Sequence, residues 1–421
     1  MTTRQTLPCR LDASLYLQST ARNSHPRSTR VALYSHDTMG LGHMRRNLLL
    51  AKSLTAANDD TTVLMLAGAK EASAFAMPRG VDCMTLPAIS KDLAGSYHSG
   101  HSRLPLQQLV MIRSAAIRAA LESFQPDVLV VDKVPRGAED ELMPTLEQIR
   151  REGRVQTVLG LREILDDRPA TLANWQATQT LDVIRDYFDA VWVYGDRHVF
   201  DLIAEYDMPP DVAAKVHFVG YLDQRRRADF NGPAPAWMSA VPAEPYVLCA
   251  VGGGQDGVSL ARAFVEAISV TNRPAVLLTG PHMPAEVRDE LHERAARMPH
   301  LCVLEFVPEG DWLISRAERV ICMGGYNTMC SVMSFGKPAL VVPRTLPRQE
   351  QYIRAQRLAD LGVLNVLHPD SLHPSPLIDW IQSPLSSHVL ARDIIDFDGL
   401  NNVNELVATM SDSTNHILER R

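Results

Sequence analysis

The sequence predicts an α/β protein made of two Rossmann-like domains that face each other across a cleft. Three observations carry this reading. Short β-branched runs alternate with helical segments along most of the chain, a proline-rich stretch interrupts the alternation once, and each half places glycine clusters where a strand hands over to a helix. At 421 residues, 46% of them hydrophobic, the chain is long for one domain and has material for two packed cores.

In the first half the strand candidates are Val31 to Ser35, Thr62 to Leu66, Val128 to Val131, Thr157 to Leu161 and Ala190 to Val193. In the second they are Tyr246 to Val251, Ala275 to Thr279, Cys302 to Phe306, Arg319 to Met323 and Ala339 to Val342. Helical periodicity fills most of the gaps, as in Met44 to Leu54 and Val258 to Ser269. Strict alternation of this kind predicts parallel sheets covered on both faces. The stretch "DQRRRADFNGPAPAWMSAVPAEP" is rich in proline, alanine and charge and reads as a linker. The expected organisation is an N-terminal arm at 1–28, a first domain at 29–225, a linker at 226–245, a second domain at 246–395 and a helical tail at 396–421.

Composition excludes several classes. A net charge of −7 argues against nucleic acid as the main partner, because phosphate backbones call for concentrated basic charge. No apolar run approaches the roughly 20 residues needed to span a bilayer. The six cysteines form no C-x-x-C pair and read as reduced thiols of a cytoplasmic protein. Residues 1–28 lack an apolar core of signal-peptide length.

The glycine clusters carry the chemistry. "VALYSHDTMGLGHMRRNLLLAKSL" places Gly40 and Gly42 at the start of a helix bearing His43, Arg45 and Arg46. "YVLCAVGGGQDGVSLARAFVEAI" places Gly252, Gly253 and Gly254 before a second helix, and "ICMGGYNTMCSVMSFGKPALVVPR" places Gly324 and Gly325 before a third. A glycine at such a turn lets a ligand approach the backbone, and the first helical N–H groups with the helix dipole attract negative charge. Two clusters on neighbouring units of the second half point to a diphosphate. Gly252, Gly254 and Gly257 also satisfy G-x-G-x-x-G, but the next strand ends "VLLTGPHMP" without the carboxylate that would hold a dinucleotide ribose. The G-x-x-x-x-G-K-[ST] loop of P-loop nucleotidases is absent from the sequence.

The second half resembles the nucleotide-sugar domain of MurG-like glycosyltransferases. The resemblance rests on "VGGGQDG", "DWLISRAERVICMGGYNTMCSVMSFGKPALVVP" and "RQEQYIRAQRLADLG", in the family's order and spacing over about 110 residues. More weakly, "GLGHMRRNLLLAKSL" and "LREILD" resemble the family's first-domain loops. The resemblance implies the two-domain GT-B fold and transfer of a sugar from a nucleotide diphosphate, with UDP favoured. It implies donor contacts at Gly252, Gly253, Gly254, Gln255, Phe306, Gly324, Gly325, Asn327, Thr328, Ser331, Glu350 and Gln351. Two of these depart from the family. Ser331 stands where a ribose-binding glutamate is usual, and Glu350 where a second amide is common; a carboxylate at 350 could accept from sugar hydroxyls or pair with Arg348 or Arg354.

Sugar transfer needs a stabilised leaving diphosphate, a nucleophilic hydroxyl and a base. Candidate bases at strand ends are His43, Asp37, Asp132 and Glu163, with His43 preferred because imidazole titrates near neutral pH. Lys133, Arg136, Arg45 and Arg46 could attract an anionic acceptor. No metal site is expected: "DIIDFDG" follows no apolar strand and reads as a solvated helix start, and no H-x-x-x-H or cysteine cluster is present. The expectation is therefore an inverting, metal-independent glycosyltransferase without a cofactor, using a nucleotide-sugar donor. The alternatives are a nucleotide-sugar 2-epimerase of the same fold and a non-catalytic nucleotide-sugar-binding protein. The acceptor stays open between lipid-linked, polysaccharide and small molecule. The setting is the cytoplasm, and "HMRRNLLLAKSL" could meet an anionic membrane surface at its inner face or pack as an ordinary amphipathic helix.

Overall fold

Strands that are apolar on both faces, such as VLVVD and AVWVY, can only be satisfied inside a parallel sheet with helices on each side, and both of these are fully buried. The computed structural model describes residues 28–37, 42–69, 72, 75–91, 97–100, 102–228, 230, 233–307, 309–385 and 389–419. Gly40 and residues 1–27 of the expected N-terminal arm lie outside them.

The first sheet contains β1 (Arg30–Ser35), β2 (Thr62–Ala67), β3 (Val81–Thr85), β6 (Val128–Asp132), β7 (Gln156–Arg162), β8 (Ala190–Tyr194) and β9 (Val216–Phe218). Its order is β3-β2-β1-β6-β7-β8-β9, and every pairing is parallel. A two-stranded antiparallel hairpin, β4 (Ile89–Lys91) and β5 (Tyr97–Ser99), stands beside it. The second sheet contains β10 (Tyr246–Ala250), β11 (Ala275–Leu278), β12 (Leu301–Leu304), β13 (Ala317–Cys322), β14 (Ala339–Val341) and β15 (Asn365–Val366). Its order is β12-β11-β10-β13-β14-β15, again all parallel.

Both sheets start in the middle, run to one edge and return to the other side. The order therefore reverses between β1 and β6 and between β10 and β13, and open α/β sheets bind ligands outside the carboxyl ends of strands at such a reversal. The expected α/β fold class is the one observed. What periodicity did not reveal are the short strands β3, β9 and β15 and the hairpin, whose few residues are mostly half-buried or exposed.

Two further features position the site. The helix Gly42–Ala57 buries His43, Met44, Arg46, Asn47, Leu49, Leu50, Ala51 and Leu54. Of the two readings of "HMRRNLLLAKSL", the amphipathic helix packed on the core is the one observed. No helix among the described residues is long and apolar enough to cross a membrane. At the other end of the chain, Asp396 to Asp398 lead back to the first domain: the Tyr221 amide donates to the Asp396 carbonyl at 2.8 Å, and Leu222 bridges to Asp398. The helix Gly399–Glu419 then packs along the first domain, with Asn402 Nδ2 donating to the Val219 carbonyl at 3.0 Å and Asn404 Nδ2 to Ser53 Oγ at 3.1 Å.

The domains meet through buried polar contacts set in an apolar cluster that contains Trp192, Tyr194 and Tyr221 of the first domain and Tyr326 and Cys330 of the second. Arg354 Nε lies 2.7 Å from Glu163 Oε1, with both side chains essentially inaccessible. Removing one partner of a buried pair strands the other charge. Glu163→Gln is therefore expected to lower the unfolding free energy by about 3 kcal/mol, read as a lower urea midpoint. The Glu163→Leu/Arg354→Met double variant should recover much of that loss. A single variant of wild-type stability would show that the pair does not hold the domains.

Candidate active site at the facing switch points

On the first domain the site is built at the ends of β1 and β6. Asp37, two residues past β1, is buried with φ +36°. Its Oδ1 accepts from the Met44 amide in the first turn of the helix Gly42–Ala57 at 3.1 Å, and Ser35 Oγ donates to its other oxygen. Burial pushes its carboxyl up to about 6, partly countered by the Ser35 hydrogen bond. Asp37 thus secures the helix start.

His43, the second residue of that helix, is buried and places Nδ1 2.7 Å from Asp132 Oδ2 at the end of β6. Arg46, one turn along, donates to both Asp132 oxygens at 2.5 and 2.7 Å. Burial pushes the His43 imidazole down to about 4 although Asp132 opposes this, so at neutral pH the ring is neutral. A neutral ring that donates from Nδ1 to a carboxylate keeps Nε2 as an acceptor. Burial would raise the Asp132 carboxyl, but the Arg46 charge and the hydrogen bonds from Arg46 and His43 outweigh it and hold the group well below the carboxylate range.

On the second domain the matching structure is the helix Tyr326–Ser334, which follows Gly324 and Gly325 at the end of β13. A Cβ on Gly325 would meet nothing within 4 Å, and its φ of −58° is ordinary, so neither packing nor backbone demands a glycine there. What the glycine leaves is open space at a helix amino end. Gly254 is the opposite case: with φ +94°, its Cβ would lie 2.2 Å from the Thr279 carbonyl oxygen. The two domains touch at this level. The Asn327 side-chain nitrogen lies 2.4 Å from where a Gly42 Cβ would be, and Tyr326 Oη donates to the Tyr194 carbonyl at 2.8 Å. The Tyr326 ring is ringed by three guanidinium groups, those of Arg46, Arg162 and Arg354, at 5.6, 5.5 and 5.5 Å from its centroid.

The structure sorts the sequence-predicted residues. Of the four candidate bases, His43 and Asp132 come together as one dyad, while Asp37 holds the helix start. Glu163 pairs through Oε1 with Arg354 and accepts there from Tyr221 Oη at 3.2 Å, while its Oε2 is buried without a hydrogen-bond partner. Gly252, Gly253 and Gln255 are exposed in the loop after β10. Asn327 and Thr328 lie half-buried in the first turn of the helix Tyr326–Ser334.

Ser331 turns away into its own domain, with Oγ donating to Asp311 Oδ1 at 2.6 Å. Glu350 pairs with neither Arg348 nor Arg354 but with Arg344 at 2.8 Å, leaving its second oxygen buried without a partner. Gln351 Oε1 accepts from the Arg344 amide at 3.1 Å, a contact that shapes the loop. Phe306 lies beyond β12 and is 49% exposed. Sequence reasoning missed Arg162, Tyr326 and Tyr194. Arg162 ends β7 in the "LREILD" segment, so its strand-end position was the available signal. Among the described residues no group of three His, Cys, Asp or Glu side chains is placed to hold a metal ion.

The family described as "Glycosyltransferase family 28 C-terminal domain" matches residues 247–388. That match lies within the second domain and spans most of it. A UDP-N-acetylglucosamine--N-acetylmuramyl-(pentapeptide) pyrophosphoryl-undecaprenol N-acetylglucosamine transferase of Haemophilus ducreyi is 24% identical over 176 residues, 41% of this chain and 49% of that protein. The chain thus matches about half the length of this curated relative. Over the whole fold it superposes on the glycotransferase of kitacinnamycin with TM-score 0.58, 17% identity and coverage of 94% of this chain and 99% of that one. For Acinetobacter baumannii MurG the values are 0.53, 15%, 90% and 99%. The architecture is the GT-B fold, and the family 28 match falls within its second half.

Two measurements check this site. If the open helix end at Gly325 receives a nucleotide diphosphate, Gly325→Val should leave the second domain folded yet abolish binding of UDP by calorimetry, whereas Gly254→Ala should lower the melting temperature. Unchanged UDP affinity in a folded Gly325→Val protein would remove the anion from this helix. The His43 imidazole should titrate by NMR near pH 4 and not at its ordinary 6.5. Because its folded value is depressed, the unfolded chain takes up the proton first, and this residue's contribution to stability falls as pH drops from 6.5 toward 4. Asp37 acts in the opposite sense: its stabilising contribution is present at low pH and is lost as pH rises through about 6.

Proposed function

We propose that this protein is a glycosyltransferase that moves a sugar from a nucleotide-diphosphate sugar, UDP-linked by preference, to a hydroxyl acceptor held by the first domain, with inversion at the anomeric carbon. The observation that carries this reading is the meeting of the two switch points, where the His43–Asp132 dyad begins one residue from the Gly42–Asn327 contact. The base thereby stands opposite the amino end of a helix suited to a leaving diphosphate.

In the reaction His43 Nε2 takes the proton of the acceptor hydroxyl as its oxygen bonds to the anomeric carbon. The bond from that carbon to the diphosphate oxygen breaks on the opposite face, and the electron pair leaves with the nucleotide. Asp132 keeps its negative charge, fixes the tautomer through Nδ1–H and stabilises the imidazolium that forms, while Arg46 holds Asp132 in place. The departing charge meets the first amides of the helix Tyr326–Ser334 and its dipole, which need no metal ion. The curated relative's name specifies a pyrophosphoryl-undecaprenol acceptor, which supports a lipid-linked acceptor as the first to try. We place the reaction in the cytoplasm, with any membrane contact made through such an acceptor.

His43→Ala should cut turnover by roughly 100-fold to 10,000-fold while leaving UDP affinity within a factor of about two. Near-normal turnover in this variant would transfer the role to another residue. Turnover should also survive excess EDTA, and complete loss restored by magnesium or manganese would contradict leaving-group stabilisation by helix amides.

A further inference from the structure

Two cations at the facing switch points have no carboxylate paired with them. Arg46, Arg162 and Arg354 surround Tyr326, and Lys133 follows Asp132 at the end of β6, its amide paired with the Gly160 carbonyl of β7 at 2.8 Å. Asp132 is matched by Arg46 and Glu163 by Arg354. Of the other acids nearby, Glu350 is paired with Arg344 through one oxygen, and Asp37 is held by the neutral Ser35 hydroxyl and Met44 amide; neither forms an ion pair with Arg162 or Lys133. Among the described residues Arg162 and Lys133 have no ion-pair partner, and Arg162 Nε is buried with no hydrogen-bond acceptor. Both side chains belong to half-buried residues, so they are withdrawn from bulk water yet reachable from the cleft. An uncompensated cation in such a place is a cost to folding unless something outside the chain supplies the opposite charge.

We propose that Arg162 and Lys133 are the first domain's half of a phosphate site, receiving a doubly charged phosphate or diphosphate lodged between the ends of β6 and β7 and the amino end of the helix Tyr326–Ser334. The placement follows from Arg162, whose guanidinium stands 5.5 Å from the ring of that helix's first residue, beside the open space at Gly325. A guanidinium presents a planar fork to phosphate oxygens, and an ammonium adds a mobile point charge. The proposal rests on the nucleotide-sugar reading for bringing such an anion into the cleft, and goes beyond it by assigning two cations from the opposite domain. The anion has two sources, the donor's diphosphate or a phosphate on the acceptor.

Lys133 supplies a second readout. Burial and the charges of Arg162 and Arg348 push its ammonium down to about 7, against the pull of Asp132 and Glu350. A bound dianion reverses that push, so binding near pH 8 should draw in a proton.

The test is calorimetry of the full chain with UDP, uridine, inorganic pyrophosphate and geranyl phosphate, on wild type, Arg162→Gln, Arg162→Lys and Lys133→Gln, with melting temperatures of the ligand-free proteins. Arg162→Gln should raise the ligand-free melting temperature and weaken phosphate-bearing ligands at least tenfold, with Arg162→Lys restoring part of the affinity. Heats in buffers of different ionisation enthalpy should reveal proton uptake at pH 8 that Lys133→Gln removes. A donor site loses UDP and spares geranyl phosphate; an acceptor site does the reverse. If every affinity stays within twofold of wild type, or Arg162→Gln melts lower with binding intact, the cations are structural and the proposal falls while UDP binding by wild type leaves the nucleotide-sugar reading standing. If wild type binds pyrophosphate through these residues but not UDP, the phosphate site stands and the nucleotide-sugar reading falls. Wild type that binds none of the ligands overturns both.

Discussion

Arg354 and Glu163, 191 residues apart in sequence and 2.7 Å apart in space, fix the distance between two sheets that otherwise share no strand. The pair is buried, so its geometry is strict: either charge left alone in that apolar setting would be far more costly than the pair. Glu163 follows β7 and Arg354 lies on the helix Glu350–Asp360, so holding these two side chains together brings the carboxyl ends of both sheets to one level. Everything chemically interesting lies at that level. The Asn327–Gly42 contact and the Tyr326–Tyr194 hydrogen bond follow from it.

The same buried environment divides otherwise similar groups into different roles. Four ionisable residues at strand ends are offered by the sequence as candidate bases, His43 first among them. Burial raises the Asp37 carboxyl, Arg46 suppresses protonation of Asp132, and burial keeps His43 neutral beside it. Each shift has its own cause, and together they leave one imidazole nitrogen with a lone pair and an oriented ring. The helix dipole on the other domain and the Arg162 guanidinium, which has no carboxylate paired with it, give the space between the switch points a positive character, while Arg46 and Arg354 are matched by Asp132 and Glu163.

The fold was legible in the sequence because its cause is local. A run such as YVLCA must be a buried strand, and glycines that follow it mark the turn into a helix. Edge strands such as β15, with two residues, carry too little pattern to be read. The site was legible only in part. His43, Asp132, Gly325 and Asn327 stand at strand ends and helix starts, positions that local pattern assigns. Which of them touch is decided by chain segments far apart in sequence: 89 residues separate His43 from Asp132. Ser331 and Glu350 illustrate the limit, since both lie in the expected blocks, yet the partners they choose, Asp311 and Arg344, depend on packing that no motif encodes.

The route of the chain between the domains also sets how they can move. It passes from the first domain to the second after Tyr221 and returns at Asp396 to Asp398, where the two crossings lie side by side, joined by the Tyr221–Asp396 hydrogen bond and the Leu222–Asp398 bridge. Gly220 fits beneath the Asp396 carboxyl, where a Cβ would lie 2.7 Å from its atoms. A body tethered by one strand can swivel about any axis. Two adjoining tethers stitched to each other resist twisting about the crossing, so the backbone connection adds its own restraint to the register that the buried Arg354–Glu163 pair sets between the sheets.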